Sequence, residues 1–356
     1  MPFPRTTLGS FSRRGGFFSS SLALLFVLSA IASNHAQAKT WYIKADGSGD
    51  APTIQAGVDS AAVGDTVLVA PGRYTDSSEV LIKGELKTVN VHLYEDIVML
   101  AGGYPFETII DYTKNDHALF IESTQAAVFR GFEIYVTPDW SGVGPARLGA
   151  ICSSGAIIED NRFEYSLYGG ALRIDGSSLE PRIVRRNVFY MNYSAVQVLA
   201  ANVTVENNTI MSGNLVECGT GVFASSDYAS DVVIQNNIIL WTSTAISRQP
   251  DCNDADITVR CNCLDECIID ANQVRDTCSV DSTNFWITLV GEGPQFCGAG
   301  AKNFFLQSDS PCAPGNHPNG YDCGLIGAFP VNCEVAAEKS TWGSIKSRYG
   351  GKAEEN

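Results

Sequence analysis

The stretch TVENNTI, residues 204–210, places two asparagines between two β-favouring flanks. Asparagine is unfavourable inside a strand, so the pair indicates a bend between two short strands. The triplet Asn207-Asn208-Thr209 also has the form of a glycosylation acceptor. Related stretches elsewhere in the chain bear on the choice between these two interpretations.

The pattern apolar-x-x-Asn-x-apolar recurs in four further stretches. These copies cover residues 157–163, 183–189, 233–239 and 258–264, and copies such as 157–163 lack the acceptor hydroxyl, which favours the bend. An earlier stretch, 128–132, looks like a copy with glycine in place of asparagine. The aligned asparagines are 26, 21, 29 and 25 residues apart and are Asn161, Asn187, Asn208, Asn237 and Asn262.

Repeats of this length are typical of stacked units that cannot bury a core alone. The repeated elements are short and β-branched, and no leucine-rich frame recurs. In a parallel β-solenoid, coils stack at about 4.8 Å, so one asparagine at the same bend of each coil can hydrogen-bond to the next copy. Asparagine also tolerates the left-handed conformation that such a bend needs. The sequence therefore predicts an all-β parallel solenoid with an asparagine ladder.

A short amphipathic helix is predicted over residues 53–62, with Thr53 as its N-cap. An exposed solenoid end could pair with other chains, so we expect this helix to cap the N-terminal end. A second apolar stretch follows each asparagine bend and is interpreted as the next strand of the coil. Long polar loops, such as residues 137–148, lie between these strands.

The run from Ala45 to Tyr74, together with the asparagine repeats, resembles the right-handed parallel β-helix proteins of the pectate-lyase-like superfamily. Residues 305–311 and 324–329 resemble the closing coils of secreted bacterial members. The resemblance implies a right-handed helix of about eight or nine coils over residues 41–330. It is specific for the fold but not for one activity, because the family includes lyases, hydrolases, epimerases and adhesins.

The N-terminus has the features of a signal peptide: three arginines, an apolar run over 17–32, and the small-x-small site Ala36-Gln37-Ala38. We therefore divide the chain into a signal peptide (1–38), a β-helix domain (39–333) and a polar tail (334–356). Removal of the signal peptide changes the net charge from −15 to −18, which argues against nucleic-acid binding. No later apolar run is long enough to span a membrane. The expected location is secreted, periplasmic or on the cell surface.

All eleven cysteines follow the signal peptide, and nine lie between Cys252 and Cys333. Export permits disulfides, so a stapled C-terminal end is expected, with one cysteine left over. The alternative is a metal cluster, although its CxCxxxC spacing is not that of a zinc knuckle. The cysteines of that cluster would be Cys261, Cys263, Cys267 and Cys278.

Side chains alternate between the two faces of a strand, which identifies an outward face after each bend. With Leu172 and Ile174 inward, Arg173 and Asp175 point outward. Extending this alternation to other coils gives an outward face of Phe120, Glu122, Arg173, Asp175, Gln197, Phe223 and Ser247. This face has one arginine and two acids but no acidic ladder.

The resemblance implies that catalytic members bind a polysaccharide along such a face, with calcium on acidic residues and a lysine or arginine as base. In that case Arg173 is the base, Asp175 the cation ligand and Glu122 a further catalytic residue. The alternative for Arg173 and Asp175 is an exposed ion pair. A binding role would instead use the aromatic and amide groups Phe120, Gln197, Phe223 and the loop residue Trp140.

Two function hypotheses therefore remain. The leading one is a non-catalytic carbohydrate-binding, adhesive or structural protein whose partner is a polysaccharide or a cell-surface glycan, and which needs no metal or other cofactor. The alternative is a polysaccharide lyase or glycoside hydrolase, which could use Ca²⁺. The acidic loop 251–256 has the spacing of oxygen ligands for calcium, but it could equally be a solvated acidic loop.

Overall fold

The computed structural model describes residues 38–103, 106–138, 147–167, 169–177, 179–211, 219–225, 231–242, 244–248, 257–265, 281–287 and 293–333. The signal peptide, the C-terminal tail, Trp140 and the acidic loop 251–256 lie outside these residues. Besides strands, the described residues contain one helix, α1 (Ile54–Ser60), and a 3-10 turn at Ala299–Ala301. Within the described residues, no helix has the length and apolarity required to cross a membrane.

Three parallel sheets form the body of the molecule, and the chain visits them in the same order in successive coils. Sheet A contains β1 (Thr40–Ile43), β2 (Thr66–Val69), β6 (Val98–Ala101), β9 (Ala127–Arg130), β12 (Ala156–Glu159), β15 (Arg182–Arg185), β18 (Val203–Glu206), β21 (Val232–Gln235) and β24 (Ile257–Arg260). Sheet B contains β3 (Gly72–Tyr74), β7 (Thr108–Asp111), β10 (Glu133–Tyr135), β13 (Arg162–Glu164), β16 (Val188–Tyr190), β19 (Thr209–Met211), β22 (Ile238–Leu240), β25 (Cys263–Asp265) and β26 (Phe285–Ile287).

Sheet C contains β4 (Ser78–Ile82), β5 (Glu85–Leu93), β8 (His117–Ile121), β11 (Leu148–Cys152), β14 (Gly170–Ile174), β17 (Ser194–Val198), β20 (Thr220–Ala224) and β23 (Thr244–Arg248). Only β4 pairs antiparallel within the three sheets described, as one arm of a hairpin with β5. The architecture is thus the predicted parallel β-helix, right-handed as parallel crossovers are. Inward side chains of the three sheets share one continuous apolar core.

The asparagine ladder occupies the bend between sheets A and B. Each ladder asparagine is fully buried, and from Asn187 onward its Oδ1 accepts hydrogen bonds from the backbone N–H and the side-chain amide of the preceding ladder residue. The distances between these atoms are 2.9–3.1 Å. The ladder has a sixth member that the repeat did not reveal, Asn284, which accepts in the same way from Asn262.

The left-handed conformation belongs to the residue before each of the five predicted ladder asparagines, which corrects the expectation that the ladder residue itself adopts it. Asn207 has φ of 52°, and the equivalent residues of other coils are Gly131, Asp160, Arg186, Asn236 and Cys261. The two asparagines of TVENNTI therefore have different tasks: Asn207 turns the chain and Asn208 fills the ladder. The earlier copy is also shifted by one, since Gly131 aligns with Asp160 and the Phe132 N–H donates to Asn161.

Helix α1 is present, and the Thr53 hydroxyl accepts a hydrogen bond from the Ala56 N–H at 3.1 Å. It buries Ile54, Gly57 and Val58 against the N-terminal strands. Its role as a cap for the open end stays a prediction.

The C-terminal segment, residues 293–333, does not form closing coils as the resemblance suggested. Strands β27 (Phe296–Gly298) and β28 (Asn303–Leu306) pair with each other antiparallel, and the following chain crosses the outer face of sheet B. Along this path the Gly327 N–H donates to the Asn236 carbonyl, and Phe329 reaches the ring of Phe106. Apolar side chains on the outer face of sheet B explain this course, because they would otherwise contact water.

Among the described residues, two disulfides hold the C-terminal segment, Cys261–Cys323 and Cys297–Cys333. The first joins the last bend of sheet A to the segment on sheet B. Because Cys261 is bonded to Cys323, the four-cysteine metal cluster is excluded. Cys267 and Cys278 lie outside the described residues.

Candidate functional site

One outward row runs along sheet C, which we call the outer row. The strand register aligns His92, Phe120, Ile151, Arg173, Gln197, Phe223 and Ser247 in successive coils. The predicted alternation is correct, since Leu119, Leu172 and Val196 are buried in the core. The sequence analysis placed Phe120 and Arg173 in successive coils. In the structure β11 lies between their strands, so Ile151 separates Phe120 from Arg173.

A hairpin made of β4 and β5 covers the first half of the outer row. Its two-residue turn, Lys83-Gly84, has positive φ at both positions, as a type I′ turn requires. Val80 and Ile82 of the hairpin pack on Phe120 and Ile151. Phe120 points outward but is only 3% exposed beneath this hairpin, and its role as a ligand contact stays a prediction.

Arg173 and Asp175 do come together, but as part of a closed ion cluster. The Arg173 Nε lies 3.0 Å from Asp175 Oδ2, near enough for an ion pair but not aligned for a hydrogen bond. Lys83 Nζ donates to Asp175 Oδ2 at 2.7 Å, and Ser153 Oγ donates to Oδ1 at 2.7 Å. The Asp175 side chain is 5% exposed. Both carboxylate oxygens are thus occupied by groups of the protein, and little of the side chain can reach a cation in solution.

Glu122 lies apart from this cluster. Its Oε1 is 2.9 Å from the Nε2 of His92, whose ring stacks on Phe120. Backbone hydrogen bonds place Ser153 in the coil between Glu122 and Asp175. At about 4.8 Å per coil, the two acidic residues are separated by roughly 10 Å along the axis. The structure therefore pairs Arg173 with Asp175 but assigns Glu122 to another partner.

The second half of the outer row is open. Beyond the hairpin, Gln197, Phe223 and Ser247 are each partly exposed. Trp140, the fourth predicted ligand contact, lies outside the described residues. Within the described parts of the chain, no group of three potential metal-ligating side chains is close enough to hold an ion.

A second charged cluster, on the outer face of sheet B, was not found from the sequence. Lys302 of the C-terminal segment donates to both oxygens of Glu164, at 2.8 and 2.7 Å, and Glu164 is nearly fully buried. Arg162 lies 3.6 Å from Glu164 and 3.8 Å from Glu133. Lys302 also lies over the rings of Tyr165 and Tyr190, at 5.2 Å from each centroid. Lys302 comes from 138 residues away, so no local pattern could reveal this cluster.

The environment of Glu133 predicts a specific dependence of stability on pH. Burial, and then the charge of Glu164, raise the pKa of Glu133 above 4.5. The folded protein thus holds this proton more tightly than the unfolded chain does. The resulting contribution to stability is complete below pH 4.5 and is lost as the pH rises through the folded pKa.

Glutamine does not ionise, so Glu133→Gln should remove the loss of stability that wild type suffers as the pH rises. The free energy of unfolding of the variant minus that of wild type should therefore increase with pH. Urea unfolding of both proteins between about pH 4 and pH 8 measures this difference. A difference that stays flat or falls as the pH rises contradicts the assigned environment of Glu133.

A third set of charges lines the last positions of sheet A. The register stacks one residue from each of five successive strands, Arg130, Glu159, Arg185, Glu206 and Gln235. Arg185 Nε lies 2.7 Å from Glu159 Oε2. Opposite charges alternate along the first four coils of this set. The arrangement reinforces stacking of the coils and leaves no cluster of one sign to attract a charged ligand.

No protein-family model and no curated protein matches this chain. Several solved structures are similar to it. A carrot pectin methylesterase is 13% identical with a TM-score of 0.41, covering 80% of this chain and 98% of that one. The pectate lyase Pel9A is 12% identical with a TM-score of 0.41, covering 83% and 96%. A rice weevil pectin methyl esterase is 11% identical with a TM-score of 0.36, covering 82% and 88%. At these identities and TM-scores, the activities of these enzymes cannot be assigned to this chain. Strand order and register in this chain are those of a right-handed parallel β-helix.

Proposed function

We propose that this protein is a secreted or surface β-helix protein that binds a carbohydrate without cleaving it. The observation that carries the proposal is the closed cluster around Asp175, in which Lys83, Ser153 and Arg173 occupy the carboxylate. A calcium-dependent lyase needs free carboxylates for the cation and a base near the substrate. The candidate base, Arg173, is here paired with Asp175.

The open half of the outer row supports binding. Phe223 offers part of its ring and Gln197 an amide in the neighbouring coil. Sugars have apolar C–H faces and polar hydroxyl edges, and an aromatic ring beside an amide matches both. The distance from Gln197 to Ser247 is two coils, about 10 Å, which suits two sugar units.

The export features of the sequence and the two disulfides support a location outside the cytoplasm. The acidic net charge of −15 disfavours polyanionic glycans, because like charges repel. We therefore propose a neutral glycan as the partner.

The proposal predicts that Phe223→Ala weakens retention on a bound neutral glycan by about three- to tenfold, the range expected for one aromatic contact. Affinity electrophoresis of the mature protein through gels containing single polysaccharides measures the retention. Tyr321→Ala, which truncates an exposed aromatic residue on the C-terminal segment, is the matched control. Equal retention of wild type and Phe223→Ala on every glycan that binds would remove this residue from the site.

A further inference from the structure

An open cavity of about 350 Å³ lies between the C-terminal ends of strands β19 and β22 of sheet B and residues 293–299 of the C-terminal segment. Its floor is formed by Met211 and Leu240 of sheet B, and its walls include Trp241 and Phe296. It belongs to a different face from the outer row on sheet C. Neither the sequence repeat nor the resemblance pointed to it.

The walls of the cavity are fixed by several independent contacts. Phe296 packs edge-on against Phe304 at 5.4 Å between ring centroids, and the neighbouring Cys297 is bonded to Cys333. Ser310 Oγ donates to the carbonyl of Pro294 at 2.6 Å. Met211 and Leu240 are almost fully buried in the sheet. A pre-formed cavity costs less ordering on binding than a flexible loop does.

Trp241 is the residue that suggests a ligand. It follows β22 in the left-handed conformation, with φ of 55°, and 40% of its surface is exposed. The surface of a large indole ring is usually buried more completely than this in a soluble protein. An exposed tryptophan at the wall of a concave site is an arrangement suited to stacking on a sugar ring.

The chemistry of the lining identifies the class of ligand. No charged side chain belongs to the described lining, which combines aromatic and aliphatic groups with Gln295, whose amide nitrogen donates to Asp309 Oδ1 at 2.8 Å. An anionic sugar would leave its carboxylate unpaired there, and the protein as a whole is acidic. A neutral pyranose, with an apolar face and hydroxyl edges, fits such a lining.

We infer that this cavity is a second carbohydrate subsite, which binds a neutral sugar unit stacked on Trp241 independently of the outer row. The inference rests on the proposed function, which it extends from one site to two. A protein with two separated subsites can hold a branched glycan, or two chains, more tightly than either site can alone.

The test uses the mature full-length protein labelled with ¹⁵N and neutral oligosaccharides of glucose, mannose and galactose, with uronate oligomers as the charged comparison. The indole N–H signals report each tryptophan separately. The signal of Trp241 should shift on addition of a neutral oligosaccharide, and Trp241→Ala should weaken binding at this site by about tenfold. Trp286→Ala is the matched control, because Trp286 is 42% exposed and does not line the cavity.

A second variant protects the test against misfolding. Trp241→Asn removes the ring but keeps a residue that tolerates the left-handed conformation, and it should lose binding as Trp241→Ala does. Phe223→Ala should leave the Trp241 shift intact. The inference is overturned if neutral oligosaccharides bind but only Phe223→Ala, and neither Trp241 variant, weakens that binding. This result would leave the proposed function standing. The inference is also overturned if only uronates shift Trp241. If no oligosaccharide binds at either site, the inference and the proposed function fail together.

Discussion

Asn208→Ala is expected to lower the free energy of unfolding by about 2–4 kcal/mol, because it leaves several buried polar groups without partners. Asn208 Oδ1 accepts from the backbone N–H and the amide of Asn187, at 2.9 and 3.1 Å. Its own amide donates to the Val184 carbonyl and to Asn237 Oδ1. The residue has no exposed surface, so water cannot replace these partners without a local opening.

Urea unfolding of wild type and variant measures this change. Asn319→Ala is the control, since Asn319 is exposed on the C-terminal segment and should change stability by no more than about 0.5 kcal/mol. If Asn208→Ala costs no more than this control, the ladder does not stabilise the stack of coils.

Lys302→Met is expected to destabilise the protein by about 3 kcal/mol, the cost of leaving a buried charge without its partner. The Glu164 side chain is 1% exposed, and Lys302 is its closest cationic partner, at 2.7 Å against 3.6 Å for Arg162. Methionine keeps the length and apolar stem of the side chain. The loss should therefore come from the missing charge and hydrogen bonds.

Lys114→Met provides the matched control for this substitution, because Lys114 is exposed. The double variant Glu164→Gln/Lys302→Met should recover part of the lost stability, since it removes the unpaired carboxylate. Equal stabilities of Lys302→Met and Lys114→Met, measured by urea unfolding, would show that Lys302 does not anchor the C-terminal segment to sheet B.

The fold was predictable because the ladder repeats a local signal in every coil. An asparagine that recurs between apolar positions, three residues after one and two residues before the next, is enough to identify the bend between two stacked sheets. The spacing could not identify which of two adjacent residues adopts the left-handed conformation, because Asn207, Asp160 and Arg186 share no side-chain chemistry. Asn284 escaped notice because the position three residues before it, which is apolar in the other copies, is Asp281.

The candidate site was less predictable because its decisive contacts are distant in sequence. Alternation correctly placed Arg173, Gln197 and Phe223 outward in one row. It could not show that Lys83, 92 residues before Asp175, closes over that carboxylate. Alternation also could not show that a hairpin covers Phe120, because the apolar residues of β4 resemble those of a strand in any turn of the β-helix.

The most direct test of the account incubates the purified mature protein with neutral glycans and polyuronides, with and without calcium. Retention, new reducing ends and unsaturated products are measured on the same samples. The account predicts retention on a neutral glycan and no product of either kind. Product formation that disappears in Arg173→Ala would contradict it, and would show that the pair of Arg173 and Asp175 is part of an active site.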